Sequence, residues 1–325
     1  AWDKVVGKAR YVDDYSLPDT LYAATVRSPV AYGRLKGIDT GVAAVMPGVK
    51  AILTYRDIPG KNVCPLVLDD QPFLAEEFVQ FYGEAVALVA AETPEQAYAA
   101  AEAVKLSIEE EKPILSIREA LAAGAPKRFR GETAFSRFIV KKGHAEATID
   151  KSEVIFEREY ETPYQEHAYM ETQGMMAVPG LEDTMTVYGS MQCPFYVYDA
   201  VSQILGLSRN KVRIVQTTTG GGFGGKEDFP SIVAGHACLL AARLQRPVKL
   251  VYRREEDIIA SSKRHPGLMR YKVGVTRKGK LQSALVEYYV DAGAFATLSP
   301  IVLWRGTVHA LGPYECDHVL INTAA

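Results

Sequence analysis

Residues 217–228 read Thr217-Thr218-Thr219-Gly220-Gly221-Gly222-Phe223-Gly224-Gly225-Lys226-Glu227-Asp228, between a strand-like run (212–219) and a helix-like run (231–244). Five of the six residues from 220 to 225 are glycine. Glycine adopts positive φ without steric cost and lets a second molecule approach the backbone closely. The stretch therefore predicts a loop that binds a bulky, phosphorylated ligand, with a glycine-rich hairpin or flexible loop that binds nothing as the alternative.

Two nucleotide-binding templates fit this loop in part. Gly220, Gly225 and Lys226 have the spacing of a phosphate-binding loop, but Glu227 stands where a Ser or Thr hydroxyl must bind Mg²⁺. Gly220, Gly222 and Gly225 also fit the dinucleotide fingerprint, which opens its helix inside the glycine run, whereas the helix predicted here begins several residues later. A nucleotide-binding module that uses Lys226 stays as an alternative function.

The composition is that of an ordinary globular protein. The chain has 325 residues, 48% hydrophobic and 23% charged, and its 37 basic and 39 acidic residues give a net charge of −2. This balance leaves no basic face for nucleic acid. No apolar run reaches the roughly 18 residues of a membrane span, and residues 1–20 are charged throughout, unlike a signal peptide. We expect a cytoplasmic protein without nucleic-acid or membrane partners.

The four cysteines are far apart and form no CxxC pair: Cys64, Cys193, Cys238 and Cys316. This spacing argues against an iron–sulfur cluster, a zinc ribbon or a disulfide framework within this chain, so most of them are expected to be buried free thiols. The chain stops at Ala325 directly after an apolar run, which suggests a fragment or one member of a split polypeptide.

The order of elements predicts an α+β fold in two domains, 1–120 and 121–325. Strands are predicted at 20–27, 49–55, 85–91, 104–108, 152–162, 184–190, 212–219, 247–253, 271–276 and 281–291, and helices at 94–104, 196–205 and 232–244. Thr93, Pro94 and Gln96 form the capping box of the first of these helices. Breakers and a change in composition at 111–150 indicate the boundary near residue 120. The segment around Gly293 and Trp304 receives no assignment.

Two polar positions outside the loop are candidates for a site. Gln192 follows a predicted strand and lies, like Phe223, at a strand end, where ligands collect in mixed α/β folds. His167 and Glu171 are four residues apart and would share one face of a helix, but two ligands are too few for a metal. We therefore favour His167 and Glu171 as residues that fix a buried turn or form a cofactor wall.

Taken together, several motifs resemble the molybdenum-binding subunit of the xanthine dehydrogenase and aldehyde oxidase family, over essentially the whole chain. These motifs are Gly7-Lys8-Ala9-Arg10-Tyr11-Val12-Asp13-Asp14, Val26-Arg27-Ser28-Pro29, Pro47-Gly48-Val49, Gln165-Glu166-His167, Gln192 and the loop 220–227. The resemblance covers the N-terminal half of that subunit. It implies an N-terminal α/β hammerhead domain followed by a mixed α/β molybdopterin-binding domain.

The resemblance also implies roles for single residues. Gln192 matches the glutamine whose amide reaches the apical oxo ligand of molybdenum, and Gly222 and Phe223 match the pair beside the metal. Together with Gly221 and Gly224 they would contact the cofactor, and no direct protein ligand to molybdenum is implied. Glu227 matches the carboxylate that binds the heterocycle in purine-oxidising members, with a loop carboxylate paired to Lys226 or an arginine as its alternative.

The implied reaction is hydroxylation of an electron-poor carbon of a small aza-heterocycle, with oxygen from water. The expected cofactor is molybdenum with molybdopterin, in its cytosine dinucleotide form, and the expected partners are an iron–sulfur subunit, an FAD subunit and a second molybdopterin-binding polypeptide or domain. The general-base glutamate of the family lies beyond this sequence, so no catalytic residue is expected in this chain. The alternatives are an aldehyde-oxidising member and a non-catalytic scaffold or maturation protein of the same fold.

The sequence departs from the purine-oxidising members at one further position. Leu320 stands where those members carry a substrate arginine, which argues against xanthine as the substrate.

Overall fold

A computed structural model describes residues 2–325. The helices are α1 (Trp2–Val5), α2 (Gly41–Ala44), α3 (Pro94–Ala103), α4 (Ile117–Leu121), α5 (Ala145–Ile149), α6 (Pro194–Leu205), α7 (Pro230–Leu244), α8 (Arg254–Ala260) and α9 (Ser299–His309). The strands are β1 (Leu21–Arg27), β2 (Gly33–Asp39), β3 (Val49–Thr54), β4 (Phe78–Val79), β5 (Ala85–Ala91), β6 (Lys105–Glu110), β7 (Arg137–Lys142), β8 (Val154–Thr162), β9 (Gly174–Pro179), β10 (Met185–Gly189), β11 (Val212–Gln216), β12 (Val248–Val251), β13 (Gly267–Val275), β14 (Leu281–Val290) and β15 (His318–Ala324). The predicted α+β class is confirmed.

The chain forms two compact units, and each unit combines two stretches that are separate in the sequence. One unit contains the described residues up to 113 together with residues 166–263, and the other contains residues 114–165 and 264–325. The domain boundary expected near residue 120 stays a prediction.

The first unit contains a seven-stranded sheet and a three-stranded sheet. The larger has the order β11-β10-β9-β12-β1-β5-β3, and the smaller has the order β4-β2-β6. Strand β5 is buried along its whole length, because Leu88 and Ala90 belong to the core that includes α6 and α7, while Ala87 and Val89 pack with α3. Burial on both faces explains why β5 is continuously apolar instead of alternating.

Helix α7 is buried through most of its length, from Pro230 to Ala241. A helix that is apolar on all sides must lie inside a protein, and α7 contributes many of the residues in the main core. Pro230 occupies its first turn, where the missing N–H costs no hydrogen bond. The glycine loop thus leads directly into a rigid buried element.

The second unit is a five-stranded sheet of order β7-β15-β14-β13-β8, with α5 and α9 packed on it. Its small core includes Ala284, Val286, Val319 and Ile321. The segment that received no assignment from the sequence contains α9, and strand β7 was not predicted either. Strand β13 begins at Gly267, four residues before the predicted start at 271.

Local signals in the first unit are reproduced where they are strongest. Thr93 Oγ1 accepts from Gln96 N at 3.3 Å and Gln96 Oε1 accepts from Thr93 N at 3.1 Å, which confirms the capping box. Gly206 ends α6 with φ of 64°, the left-handed conformation that glycine tolerates best. Strand β11 ends at Gln216 instead of residue 219, so that the glycine loop and its threonines lie outside the sheet.

Gly60 packs against the end of α6, the helix that begins two residues after Gln192. Gly60 N donates to Ile204 O and Lys61 N donates to Gln203 O, each at 3.0 Å, so this turn satisfies carbonyl groups at the helix terminus. A methyl group at Gly60 would overlap the backbone of residues 203–206.

We expect Gly60→Ala to lower the free energy of unfolding by about 1–3 kcal/mol, since backbone atoms must move to admit the methyl group. Gly37→Ala is the matched control, because the nearest atom to its added methyl is 3.9 Å away. Urea denaturation of both variants measures the difference. Equal stabilities would contradict the tight packing of Gly60.

Candidate active site at the glycine loop

The glycine loop has a backbone conformation that few other sequences could adopt. Gly221, Phe223 and Gly224 have φ of 101°, 53° and 94°, and Gly225 N donates to Gly222 O at 2.8 Å to close a turn. Phe223 is therefore a non-glycine residue held at positive φ, and its side chain is 77% exposed. Such strain at an exposed aromatic residue is typical of a functional position.

Three backbone amides of the loop have no acceptor. Within residues 2–325, the N–H groups of Gly221, Gly222 and Phe223 donate to no protein atom. Consecutive free amides in a turn with positive φ attract anions or other acceptors. The loop therefore presents a set of hydrogen-bond donors to a ligand.

Gln192 is bound to the same loop. Its backbone N donates to Lys226 O at 2.7 Å, and its side-chain Oε1 accepts from Gly224 N at 3.0 Å and from Lys226 N at 3.2 Å. Because Oε1 is occupied in this way, the amide orientation is fixed and Nε2 keeps its two hydrogens for a ligand. Gly222 permits this approach, since a methyl group there would lie 2.5 Å from Gln192 Oε1.

Glu171 joins both ends of the loop. Its Oε2 accepts from Gly220 N at 2.7 Å and from Lys226 Nζ at 3.0 Å, while Oε1 accepts from Val12 N at 3.2 Å. Glu171 N also donates to Gly220 O at 3.2 Å. This residue therefore fixes both ends of the loop.

Lys226 points into the protein and is fully buried. Its Nζ contacts Glu171 and Ser190 Oγ, the latter at 2.9 Å, and lies 4.7 Å from the centre of the Tyr169 ring. Burial lowers the pKa of Lys226, and the Glu171 carboxylate opposes that effect. The ammonium is not available to a nucleotide phosphate, which removes the physical basis of the nucleotide-binding alternative.

A buried hydrogen-bonded group supports the loop from the side of β9. Gln173 Nε2 donates to Gly225 O at 2.7 Å and to the Tyr169 hydroxyl at 2.8 Å, and that hydroxyl donates to Asp257 Oδ1 at 2.8 Å. Gln173 N donates to Asp257 Oδ2 at 3.1 Å. Burial, and then the Asp257 charge, raises the pKa of Tyr169, so this hydroxyl stays protonated as a donor.

His167 packs beside the end of the loop. Its ring stacks on Tyr169 with centroids 6.4 Å apart, and a methyl group at Gly225 would lie 2.7 Å from His167 Nδ1. Across the described part of the chain no three His, Cys, Asp or Glu side chains are grouped to hold a metal ion. His167 and Glu171 both belong to the support of the loop.

Glu227 is half-buried and has no ion pair or hydrogen bond with any of residues 2–325. The alternative that pairs it with Lys226 is wrong, because Lys226 turns inward to Glu171. Burial, followed by the charges of Glu227 and Asp228, raises the pKa of the neighbouring Cys193 thiol. Glu227 is thus an unpaired carboxylate near Cys193, at the end of the loop.

The remaining cysteines agree with the prediction of free thiols. Cys64, Cys238 and Cys316 are buried and unpaired, and Cys193 is half-buried.

None of the helices within residues 2–325 combines the length and the apolar character that a membrane span requires.

Several supporting residues were not identified from the sequence: Tyr169, Gln173, Ser190, Asp257 and the structural role of Lys226. Asp257 sits in the acidic first turn of α8, beside Glu255 and Glu256. An acidic first turn is ordinarily explained by the helix dipole, so the pattern contains no signal for burial. The sequence of residues 217–228 identified the loop, but not the buried residues that support it.

The contact between Gly222 and Gln192 predicts that the effects of Gly222→Ala and Gln192→Ala on the free energy of unfolding are not additive. Gly222→Ala should displace the Gln192 side chain and lower the free energy of unfolding by about 1–3 kcal/mol. In a Gln192→Ala background the three nearest atoms to the new methyl group are gone, so the same mutation should cost less there. Denaturation of the four members of this double-mutant cycle measures the coupling, and additive effects would refute the contact.

Two family models match the chain. Residues 130–325 match the molybdopterin cofactor-binding domain, and residues 6–112 match the a/b hammerhead domain of aldehyde oxidase and xanthine dehydrogenase.

Similar proteins are found by sequence and by structure. The chain is 38% identical over 98% of its length to the nicotinate dehydrogenase large molybdopterin subunit of Eubacterium barkeri, and spans 75% of that protein. It is 36% identical over 97% of its length to a probable xanthine dehydrogenase subunit of Bacillus subtilis, and spans 42% of it. The aldehyde oxidoreductase structure from Desulfovibrio gigas superposes with a TM-score of 0.89 at 28% identity, over 99% of this chain and 37% of that one.

These matches confirm the resemblance that the motifs and the loop indicated. The chain spans three quarters of one of these three proteins and less than half of the other two. It belongs to the xanthine dehydrogenase and aldehyde oxidase family of molybdenum hydroxylases, and contains the hammerhead and molybdopterin cofactor-binding domains of that family.

Proposed function

We propose that this chain forms one wall of the active site of a molybdenum hydroxylase that acts on an aza-heterocycle. The observation that carries the proposal is the binding of Gln192 Oε1 to the glycine loop. This arrangement leaves Gln192 Nε2 and three loop amides as donors beside an exposed aromatic residue.

The donor set fits the chemistry of the molybdopterin cofactor. Oxo and phosphate oxygens accept hydrogen bonds, and neutral amide donors bind them without adding a competing charge. Gln192, Gly221, Gly222, Phe223 and Gly224 would hold the cofactor. No protein side chain is proposed as a direct ligand to molybdenum, so the cofactor itself would hold the metal.

When bound, the cofactor supplies the transfer of a water-derived oxygen to an electron-poor carbon and the acceptance of two electrons from the substrate. The protein's part is to orient the substrate and stabilise developing charge. Gln192 Nε2 would donate to an oxygen of the bound cofactor, Phe223 would shield the site from water, and Glu227 would accept a hydrogen bond from the ring of the substrate. The general base is supplied from outside this chain.

The substrate class follows from Glu227. A half-buried carboxylate without a protein partner is suited to accept from a ring N–H, and an aldehyde offers no such donor. The similarity to a protein named as a nicotinate dehydrogenase subunit supports an aza-heterocycle on separate grounds from Glu227. Leu320, inside β15, is an apolar residue at the position where purine-oxidising members carry an arginine, which argues against xanthine itself and leaves an aza-heterocycle with a ring N–H as the proposed substrate class.

An aldehyde-oxidising enzyme is the second candidate. It is favoured by the close superposition on a structure named as an aldehyde oxidoreductase.

The names of the relatives also bear on the partners. Two of them are described as subunits of larger enzymes. We infer that this chain assembles with a second molybdopterin-binding polypeptide or domain, an iron–sulfur subunit and an FAD subunit, which carry the electrons away. The dinucleotide is inferred to be the cytosine form.

The direct test is the chemical content of the complex that co-purifies with this chain. Molybdenum in near-stoichiometric amount, together with a pterin that releases a cytosine nucleotide on hydrolysis, is the expected result. A complex with all its subunits but without molybdenum would exclude the proposed function.

Gln192→Glu separates the donor role of Gln192 from its role in the loop. A carboxylate can still accept from Gly224 N and Lys226 N, so stability should change by less than about 1 kcal/mol. The lost Nε2 donor should lower kcat on the order of 10²-fold, as for other donors aimed at developing charge. Steady-state kinetics and thermal unfolding of the complex check both parts, and undiminished kcat would contradict the donor role.

Glu227→Gln tests the substrate class. The variant keeps the shape and an acceptor oxygen but loses the charge, so KM for an aza-heterocycle should rise about tenfold, the equivalent of about 1.4 kcal/mol. KM for an aldehyde without a ring N–H serves as the control and should be unchanged. Equal changes for both substrate classes would refute the contact between Glu227 and the heterocycle.

A further inference from the structure

The buried side of the glycine loop contains an ion pair that the proposed chemistry does not use. Lys226 is the residue that gave the loop its resemblance to a phosphate-binding motif, yet it is fully buried, and Glu171 retains only 13% of its side-chain exposure. A buried ion pair needs a reason, because the cost of desolvating two charges often exceeds their attraction.

The geometry of the pair indicates what it does. One atom, Glu171 Oε2, accepts from Gly220 N at 2.7 Å and from Lys226 Nζ at 3.0 Å. Gly220 and Lys226 are the first and last residues of the glycine-rich turn. A single carboxylate oxygen therefore closes the base of the loop, while Gln192 holds its middle from the other side.

The remaining hydrogen-bonding groups of the pair are also satisfied. The Lys226 ammonium contacts Ser190 Oγ at 2.9 Å and the face of the Tyr169 ring at 4.7 Å, and Glu171 Oε1 accepts from Val12 N at 3.2 Å. Tyr169 and Ser190 lie in buried segments of the first unit. Both charges are thus bound by groups of the protein itself, so the role of the pair is mechanical.

The need for such closure follows from the composition of the loop. Glycine has more conformational freedom to lose on ordering than any other residue, so five glycines would populate many loop shapes without external contacts. Catalytic donors must be held within a fraction of an ångström to be effective. Contacts at both ends of the turn reduce that freedom where the chain itself cannot.

We propose that Lys226 and Glu171 are positioning residues that fix the loop so that its free amides and Gln192 Nε2 face the cofactor together. The role in cofactor binding rests on the proposed function, whereas the closure of the loop does not. The N-terminal motif takes part through Val12, and Lys4 Nζ contributes a contact to Thr219 O at 3.1 Å.

The test uses the complex that co-purifies with this chain, from cells grown with and without molybdate. The variants are Lys226→Met, which leaves a buried Glu171 charge, and the double variant Lys226→Met/Glu171→Leu, which removes both charges. Arg27→Met is the matched control, because Arg27 forms a buried ion pair with Glu256 at 2.8 Å and its hydrogen bonds within residues 2–325 go to Glu256 and Gly83, outside the loop. The readouts are amide hydrogen exchange of residues 224–226, whose hydrogen-bond acceptors are unchanged in all variants, the melting temperature, and pterin nucleotide per mole of protein.

We expect exchange of the hydrogen-bonded amides of residues 224–226 to rise at least about tenfold in both Lys226 variants and to stay unchanged in Arg27→Met, whatever the molybdate supply. The double variant should melt at a higher temperature than Lys226→Met, because no unpaired charge is left buried. It should nevertheless keep the rapid loop exchange and lose most of its pterin. If the double variant regains melting temperature but its loop amides still exchange rapidly, the ion pair positions the loop and does not act only by stabilising the fold.

Two results would overturn the proposal. Loop exchange in the double variant equal to that of the wild type would show that the ion pair does not close the loop. Rapid exchange with full pterin content would show that closure does not serve the cofactor. A wild-type complex without molybdenum would remove the proposed function alone, since the exchange measured without molybdate still decides whether the pair closes the loop.

Discussion

The central constraint in this protein is the closure of a glycine-rich turn by one partly buried carboxylate, that of Glu171. Glu171 receives the N–H of Gly220 and the ammonium of Lys226 on the same oxygen, and a backbone N–H from residue 12 on the other. Three segments that are far apart in sequence therefore meet at one side chain. Because this carboxylate is nearly buried, its hydrogen bonds face little competition from water, and the loop cannot relax without exposing or abandoning a charge.

The exposed side of the loop depends on this closure. With its ends fixed, the turn can hold Phe223 at positive φ, a strained conformation that an unconstrained chain would leave. The amides of residues 221–223 then remain free to donate to oxygen atoms of a ligand. Gln192 is oriented by the same backbone, since two loop N–H groups bind its Oε1 and leave Nε2 for the ligand. The proposed site thus consists of neutral amide donors on a rigid support. Such donors suit a cofactor that itself supplies the ligands to its metal.

Some local features of the fold, and the family, could be predicted from the sequence. The capping box at Thr93 and the end of the helix predicted at 196–205 depend on backbone preferences that act over a few residues, and both are observed. The ordered motifs, read together, identified the family, which the family models confirm. Helix α9 and strand β7 were not predicted, because their residues are polar and apolar without a clear period and are ordered by the sheet they pack on.

The sequence by itself determined that residues 220–225 form an irregular turn between a strand and a helix, because glycine content acts through the local backbone. Only the tertiary structure decided the direction of Lys226 and the role of Glu171. The spacing of Gly220, Gly225 and Lys226 is compatible with a phosphate-binding loop, but the ammonium follows the nearest buried carboxylate, which lies 55 residues away in sequence. The direction of a charged side chain is set by the partners that the fold brings within hydrogen-bonding distance, and no local pattern records those partners.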